Sequence, residues 1–362
     1  MNTDFYSLTI KSVEPLSKDA VAVLLTVPDE LKQTFAYRSG QHLTFKSSIT
    51  GKEIRRSYSI CRSETEQQLE VGIKRIEQGV FSNYANDNLK AGMTVQVMPP
   101  QGLFTLDINE TNKKHYLLIA SGSGITPILS HLTTILEQEP ESSVTLLYAN
   151  KTTNRMMFRE RISFLKNEYM QRLTWVKIFS QESVDAEILN GRISAKKLRD
   201  LHDARIINLD QVDEVMICGP EMMIMDVKAF LEVNKFEPDT IHFELFHSDS
   251  ADKATEQHHK ALEKRFGDEI SKVTIRSSGR TLNFELEKSG QTILDMALDE
   301  GADVPYACKG GVCATCKAKL ISGQVEMDNN HCLSDEEVAE GMILTCQAHP
   351  ISDQVEVDYD VI

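Results

Sequence analysis

The sequence predicts a multidomain protein: an antiparallel six-stranded β-barrel, an α/β unit on a parallel sheet, and a small C-terminal unit folded around a cysteine-rich loop. Three observations carry this expectation. Short alternating strands fill roughly the first 107 residues, strands then alternate with helical periodicity from about 115 to 246, and four of the seven cysteines, Cys308, Cys313, Cys316 and Cys346, are grouped at suggestive spacings. A chain of 362 residues has room for two or three domains.

In the first unit, alternating runs occur at Phe5–Ile10, Ala20–Val27, Gln41–Phe45, Ile54–Ile60, Leu69–Ile76 and Thr94–Met98. Gly and Pro punctuate them, as at Ser39-Gly40 and Pro99-Pro100, and one short helix is expected over Phe81 to Leu89. Several short strands at this spacing read as a small antiparallel barrel. The second unit offers strands at His115–Ala120, Val144–Ala149, Leu173–Phe179, Glu214–Cys218 and Ile241–Phe246, with helices starting at Thr126, Met157 and Glu221. Such alternation implies a parallel sheet flanked by helices. The stretch 247–270 is polar and lacks strand periodicity, so it reads as a linker with a helical turn near Lys260–Arg265. Its His258-His259 pair has no Cys or acidic ligand pattern close by in sequence, and is not read as a metal site. From Ser271, a hairpin over Val273–Arg276 and Thr281–Leu286 precedes a helix at Thr292–Asp299, the cysteine loop, and strands near Ala318–Ile321 and Val355–Asp358. The expected domains are therefore 1–109, 110–246 and 271–362, with 247–270 as the linker.

Composition excludes several classes. No apolar run reaches the roughly 18–20 residues that span a bilayer, and Met1-Asn2-Thr3-Asp4 lacks the basic start of a secretory signal. A cytoplasmic protein with no membrane partner is expected. The net charge of −15 argues against nucleic acid as a partner. From Ser271 onward 16 Asp/Glu stand against 7 Lys/Arg, so nine of those charges fall in the last quarter. An acidic face of this kind either steers toward a basic partner or simply solubilises the unit.

Cys308-x4-Cys313-x2-Cys316, with Cys346 following after 29 intervening residues, is the spacing of a plant-type [2Fe–2S] cluster. Three thiolates on one loop must converge with a fourth, and the small residues Ala307, Gly310, Gly311, Ala314 and Thr315 let the backbone fold closely around them. A structural zinc site uses the same ligand type, but zinc modules usually pair two short Cys hooks. Cys61 and Cys332 lie outside the pattern and read as core or loop residues.

Two further groups of residues carry binding chemistry. Arg56-Ser57-Tyr58-Ser59 ends a barrel strand, where a flavin can lie with Arg56 on its pyrophosphate, Tyr58 against its ring or ribityl chain and Ser59 near N5. Gly79-Val80-Phe81-Ser82 opens the barrel's helix, so its amides and Ser82 are placed for phosphate. Val71, Ile73 and Lys74 are expected to offer backbone contacts along the isoalloxazine. In the second unit, Gly122-Ser123-Gly124-Ile125-Thr126-Pro127 follows a strand and opens a helix, the context of a pyrophosphate cradle, although the third glycine of the dinucleotide fingerprint is missing. Cys218-Gly219-Pro220 ends a later strand and is expected at the nicotinamide. Asn150 to Arg155 contains no acid, so Lys151, Arg155 and Ser180 favour NADPH over NADH.

Taken in order, these motifs resemble the ferredoxin–NADP reductase superfamily, and within it the reductases of bacterial multicomponent oxygenases. Tyr37 to His42, Arg55 to Arg62, Met156 to Phe158 and Val304 to Lys317 are most similar to the subgroup serving phenylacetyl-CoA ring-epoxidising complexes. The resemblance implies FAD rather than FMN, NADPH as donor, a β-grasp ferredoxin domain and the oxygenase component of a di-iron monooxygenase as partner. Hydride transfer from the nicotinamide to the flavin is expected to be shaped by Ser59, Thr126 and Cys218, with single electrons then leaving through the cluster. Plant relatives end on an aromatic stacked against the flavin. Here the chain continues past Phe246, which is a candidate for that contact. A reductase of a Rieske dioxygenase or demethylase, a redox sensor and a zinc module are the alternatives to be separated from this reading.

Overall fold

Alternation of apolar and polar residues becomes a closed antiparallel sheet in the computed structural model, which describes residues 4–49, 51–246 and 249–361. The barrel strands are β1 (Tyr6–Ser17), β2 (Ala20–Thr26), β3 (His42–Ile49), β4 (Lys52–Ser59), β5 (Glu70–Lys74) and β6 (Thr94–Gln101), with helix α1 (Val80–Asn88) between the last two. They pair in the order β4-β3-β6-β1-β2-β5, and an Ile60–Val71 bridge joins the two ends. Leu8 and Ile10, Val23 and Leu25, Leu43 and Phe45, Val71 and Ile73 point inward at every second position. Each such side chain contributes roughly 1.5–3 kcal/mol over leaving it exposed.

The next strands are β7 (His115–Ser121), β8 (Ser143–Asn150), β9 (Leu173–Phe179), β10 (Glu214–Gly219) and β11 (Ile241–Leu245), ordered β11-β10-β7-β8-β9 and parallel throughout. Tyr116 to Ala120 are fully buried in succession, as expected of a strand covered on both faces. Helices α2 (Ile125–Gln138), α3 (Arg159–Glu168), α4 (Ala195–Asp203) and α5 (Glu221–Val233) supply the cover. Ile125, Ile128, Leu129, Leu132 and Leu136 give α2 a buried stripe at helical spacing. Two details differ from the sequence expectation. α3 starts at Arg159 rather than Met157, because Phe158 takes a left-handed backbone (φ 56) and sinks its ring into the core. Helix α4 is an addition to the expected elements; it buries only Leu198 and Leu201, so its periodic signal is thin, although Ser194 caps it by accepting from Lys197 N.

Barrel and parallel sheet belong to one compact unit, Met1–Phe246, and the rest of the chain forms a second, His247–Ile362. The second unit begins with α6 (Asp249–Phe266), an 18-residue helix in place of the expected linker with a single helical turn. Ala, Glu, Lys and Gln favour helix intrinsically, and Leu262 buries itself, but the helix is polar on most of its surface. Then follow β12 (Ile270–Ser277), β13 (Arg280–Glu287), α7 (Ile293–Asp299), β14 (Lys317–Ser322), β15 (Val325–Met327), α8 (Asp335–Ala339), β16 (Met342–Leu344), β17 (Ala348–Pro350) and β18 (Gln354–Asp358). A mixed sheet in the order β13-β12-β18-β14-β16 packs against α7 through Phe284, Leu286, Ile293 and Leu294, a β-grasp, with the small β15–β17 ribbon beside it. Among the described residues no helix is long and apolar enough to cross a membrane.

Candidate functional site

The barrel end is built by β4, β5 and the start of α1. Register with β3 places Arg56 opposite Phe45, Ser57 opposite Thr44, Tyr58 opposite Leu43 and Ser59 opposite His42. Ser57 and Thr44 share a hydroxyl hydrogen bond of 3.0 Å, while Arg56 donates to its neighbour's carbonyl at the surface. The Tyr58 ring lies 5.7 Å from that of Phe81, bringing the end of β4 beside the first turn of α1. Phe81 is itself buried in the barrel core, so only its backbone faces outward. The Ser82 hydroxyl accepts from Ile76 N, which ties down the turn before α1 and occupies an oxygen expected to meet phosphate. Val71 and Ile73 point into the barrel, leaving their backbone for contacts outside it.

The parallel sheet reverses its strand order between β7 and β10, the place where open α/β sheets bind ligands. Both glycine-containing turns meet there. A Cβ on Gly124 would lie 2.1 Å from the Cys218 carbonyl oxygen, so only glycine allows α2 to start this close to β10. Gly122 has φ +57, and a Cβ on Gly219 would crowd Ser121 and Met223. Pro220 caps α5. Thr126 donates to Ser123 O at 3.0 Å, and its methyl reaches the space above Gly72 of β5, where a Cβ would sit 2.9 Å from it. Gly72 is thus the point at which the barrel approaches α2 and the Met157–Phe158 turn.

Cys218 pairs with Glu244 on β11, and Glu244 is a candidate site residue that the sequence did not reveal. Its Oε2 accepts from the Ser59 hydroxyl at 3.1 Å, and its Oε1 lies 4.0 Å from His42 Nδ1. Burial pushes the Glu244 carboxyl up to about 8, with the Ser59 hydrogen bond pulling the other way. Burial also holds His42 down at about 4, so the pair is a neutral imidazole beside a protonated carboxyl at pH 7 and not an ion pair. Burial, then the neighbouring Glu244, raises the Cys218 thiol well above its ordinary value. Cys218 therefore serves as a packed thiol and not as a nucleophile. Ser59, Cys218, Glu244 and His42 form one cluster, with Thr126 in the first turn of α2 beside the β7–β10 switch point. Phe246 follows β11 directly and packs against the same core.

A second grouping is cationic. Lys74 of β5 stands beside Gly122, 3.9 Å from the position of a Cβ there, and burial together with Arg155 and Lys151 lowers its pKa. Lys74, expected along the flavin, shares a field with Lys151 and Arg155, expected at the nucleotide. Arg155 also lies 3.6 Å from Asp19. Ser180 is exposed, its amide bonded to Asn150 O. The acid-free reading of this loop is corrected by the fold: Glu182 reaches in from the end of β9 and accepts from both Thr153 N and Thr153 Oγ1 at 2.6 Å.

In the second unit, Cys308, Cys313 and Cys316 lie on the loop from α7 to β14, and Cys346 lies between β16 and β17. Lys309, Gly311 and Ala314 all adopt positive φ, which winds the loop tightly. The Cys308 thiol is held below its ordinary value by its hydrogen bond with Cys313 and by the amides of Gly310, Val312 and Cys313. Cys313 is pushed up by its hydrogen bond to Cys308, and Cys346 by its hydrogen bond to Cys316. The four sulfurs thus associate in two pairs ringed by N–H donors, which fits two irons with two thiolates each. Gln347 donates to Cys346 Sγ at 3.7 Å and to Lys309 O at 3.0 Å, and accepts from Asn329, bracing the loop against the lone fourth ligand. Cys332 is not among the paired sulfurs; burial raises it to about 12. Cys61 is buried in the first unit and donates to Glu70.

Family models match this layout in order: an oxidoreductase FAD-binding domain over residues 7–106, an oxidoreductase NAD-binding domain over 118–229 and a 2Fe-2S iron-sulfur cluster binding domain over 275–350. The chain is 44% identical over 358 residues to one of the subunits of 1,2-phenylacetyl-CoA epoxidase from Escherichia coli (strain K12), covering 99% of this chain and 98% of the relative. It is 32% identical over 340 residues to the ferredoxin reductase component of 3-ketosteroid-9-alpha-monooxygenase from Rhodococcus rhodochrous, covering 93% and 92%. Among solved structures, phthalate dioxygenase reductase has the same fold, with a TM-score of 0.60, 23% identity and 98% of both chains covered. The chain is an oxidoreductase with FAD-, NAD(P)H- and [2Fe–2S]-binding domains, and it belongs to the family of oxygenase reductase components that includes the reductase of the phenylacetyl-CoA epoxidase.

Proposed function

We propose that this protein is the reductase of a multicomponent oxygenase, taking electrons from NADPH and passing them by way of FAD and the [2Fe–2S] cluster to an oxygenase component that epoxidises the ring of phenylacetyl-CoA. The observation that carries the proposal is the 44% identity running end to end to the epoxidase relative, together with all three domains in the order of an oxygenase reductase. Bound FAD supplies the exchange between a two-electron hydride and the single electrons that a cluster accepts. The side chains do the positioning. Arg56 and the amides at the start of α1 would hold the flavin's phosphates, Tyr58 would pack along it, and Ser59 would orient its reactive edge. Gly122 and Gly124 would cradle the nucleotide's pyrophosphate, with Cys218, Gly219 and Pro220 against the nicotinamide and Thr126 limiting its approach. Glu244 retains a proton near neutral pH at the carboxyl that Ser59 addresses, so the cluster excludes a negative charge from the place where hydride passes. Cys308, Cys313, Cys316 and Cys346 would hold the iron.

NADPH is proposed over NADH because the three cations Lys74, Lys151 and Arg155 share this region and outnumber the carboxylates Asp19 and Glu182 there, which favours a 2′-phosphate. The domains are assigned as 1–109, 110–246 and 271–362. The cytoplasm is the proposed compartment, where a chain whose seven cysteines form no disulfide is at home. The test is reconstitution. With purified phenylacetyl-CoA epoxidase oxygenase, the protein should support oxygen uptake that requires both NADPH and phenylacetyl-CoA. Equal or better support of a Rieske-type oxygenase would move the assignment to that class.

A further inference from the structure

We propose that His259, Asp328 and His349 form a divalent-metal site, filled by zinc, that fastens helix α6 to the β15–β17 ribbon of the C-terminal unit. One ligand atom from each residue lies within 4.8 Å of the other two. None of the four cluster cysteines takes part. The three come from separate elements: α6 brings His259, the residue after β15 is Asp328, and β17 contains His349. The ribbon register holds the last two together, with Glu326 opposite His349 and Asp328 N donating to Gln347 O.

One edge of the coordination polyhedron is already set. His349 Nε2 and Asp328 Oδ2 share a hydrogen bond of 3.1 Å, whose proton the metal displaces to solvent on binding, and two zinc ligands at 2.0–2.1 Å in a tetrahedron are about 3.3 Å from each other. The His259 ring stands 4.8 Å from the His349 ring, so a ligand at the outer limit of 4.8 Å closes by roughly 1.5 Å to join that edge. Asp328 is oriented by its other oxygen, which lies 2.6 Å from His258 Nδ1, while His258 Nε2 faces Glu326. That arrangement matches the outer contacts that aim carboxylate ligands at a metal. His349 is fully buried, and its Nδ1 has no hydrogen-bond partner among the described residues. Two imidazoles with one carboxylate select zinc-like ions over calcium or magnesium, which take oxygen ligands. The His258-His259 pair lacks an acidic ligand nearby in sequence because the fold supplies it from the far side of the cysteine loop.

The experiment uses the intact holoprotein, with FAD and cluster followed by visible absorbance. After dialysis against metal-free buffer, zinc chloride is titrated by calorimetry, and bound zinc and iron are counted by elemental analysis. The expected result is one zinc per chain with iron unchanged, binding weakened at least about 30-fold in His259→Gln, and a zinc-dependent rise in melting temperature that the variant loses. His259 is half-buried on a helix, so the variant should fold, and an unchanged visible spectrum will check that it has. Equal zinc binding by wild type and variant, no retention at micromolar zinc, or uptake matched by loss of iron would each overturn the proposal.

Discussion

Replacing Glu244 by Gln isolates the effect of burying a carboxyl between Ser59, Cys218 and His42. Gln keeps an oxygen for the Ser59 hydroxyl but cannot titrate. In the wild type the carboxyl moves from an ordinary 4.5 to about 8 on folding. The folded state thus keeps a proton that the unfolded chain has released. Stability is lost as pH rises from 4.5 toward 8, at about 1.4 kcal/mol per pH unit. Integrated over that window, the difference is on the order of 4–5 kcal/mol, reduced where water reaches the 12% of the side chain that is exposed. At about 2–4 °C per kcal/mol for a unit of this size, Glu244→Gln should melt on the order of 10 °C above the wild type at pH 8. The two should converge near pH 4.5. Thermal melting followed by release of flavin fluorescence reads the first unit specifically. A gap that stays constant with pH, or a variant that melts lower at pH 8, would refute the buried-proton argument.

Three other outcomes are expected. Lys151→Ala should raise KM for NADPH several-fold while leaving that for NADH unchanged, in steady-state reduction of a dye acceptor; equal effects on both would remove Lys151 from the 2′-phosphate. Gly124→Ala should lower stability by about 1–3 kcal/mol, since its methyl overlaps the Cys218 carbonyl, and a wild-type melting curve would contradict the close approach. Arg161→Leu breaks the pair with Glu70 (2.9 Å), in which Arg62 also takes part, and should cost roughly 2–4 kcal/mol by chemical denaturation at pH 7. Burial works to raise the Glu70 carboxyl, but Arg62 and Arg161 outweigh it and hold it below the usual range. That stability is present above the ordinary carboxylate pKa and fades as the solution is acidified through the lowered pKa of the folded state, so the deficit of the variant should shrink as pH falls below the usual carboxylate range.

The parts of the site that were legible are those held in short contiguous stretches. The cysteine loop, the Gly122–Thr126 turn and the Arg56–Ser59 strand end each announce a backbone shape within a few residues, and the fold only assembles them. What sequence did not reveal depends on pairing across the sheet. Glu244 reaches Ser59 because β11 lies beside β10, and nothing local to Glu244-Leu245-Phe246 signals that its carboxyl is buried. Glu182 is 29 positions from the Thr153 it binds, so residues 150–155 alone present a loop without an acid. Helix α6 escaped because a polar helix has little apolar periodicity; its signal was intrinsic propensity, which a search for hydrophobic stripes overlooks.

Anaerobic addition of NADPH, followed by visible absorbance and low-temperature electron paramagnetic resonance, tests the central claim most directly. The account predicts that flavin absorbance falls and a reduced-cluster signal appears in the wild type. In Cys313→Ser the flavin should still bleach, with the cluster signal lost and delivery to a cluster-dependent acceptor abolished. Undiminished delivery by Cys313→Ser, or a wild-type protein that contains no iron and does not react with NADPH or NADH, would contradict it.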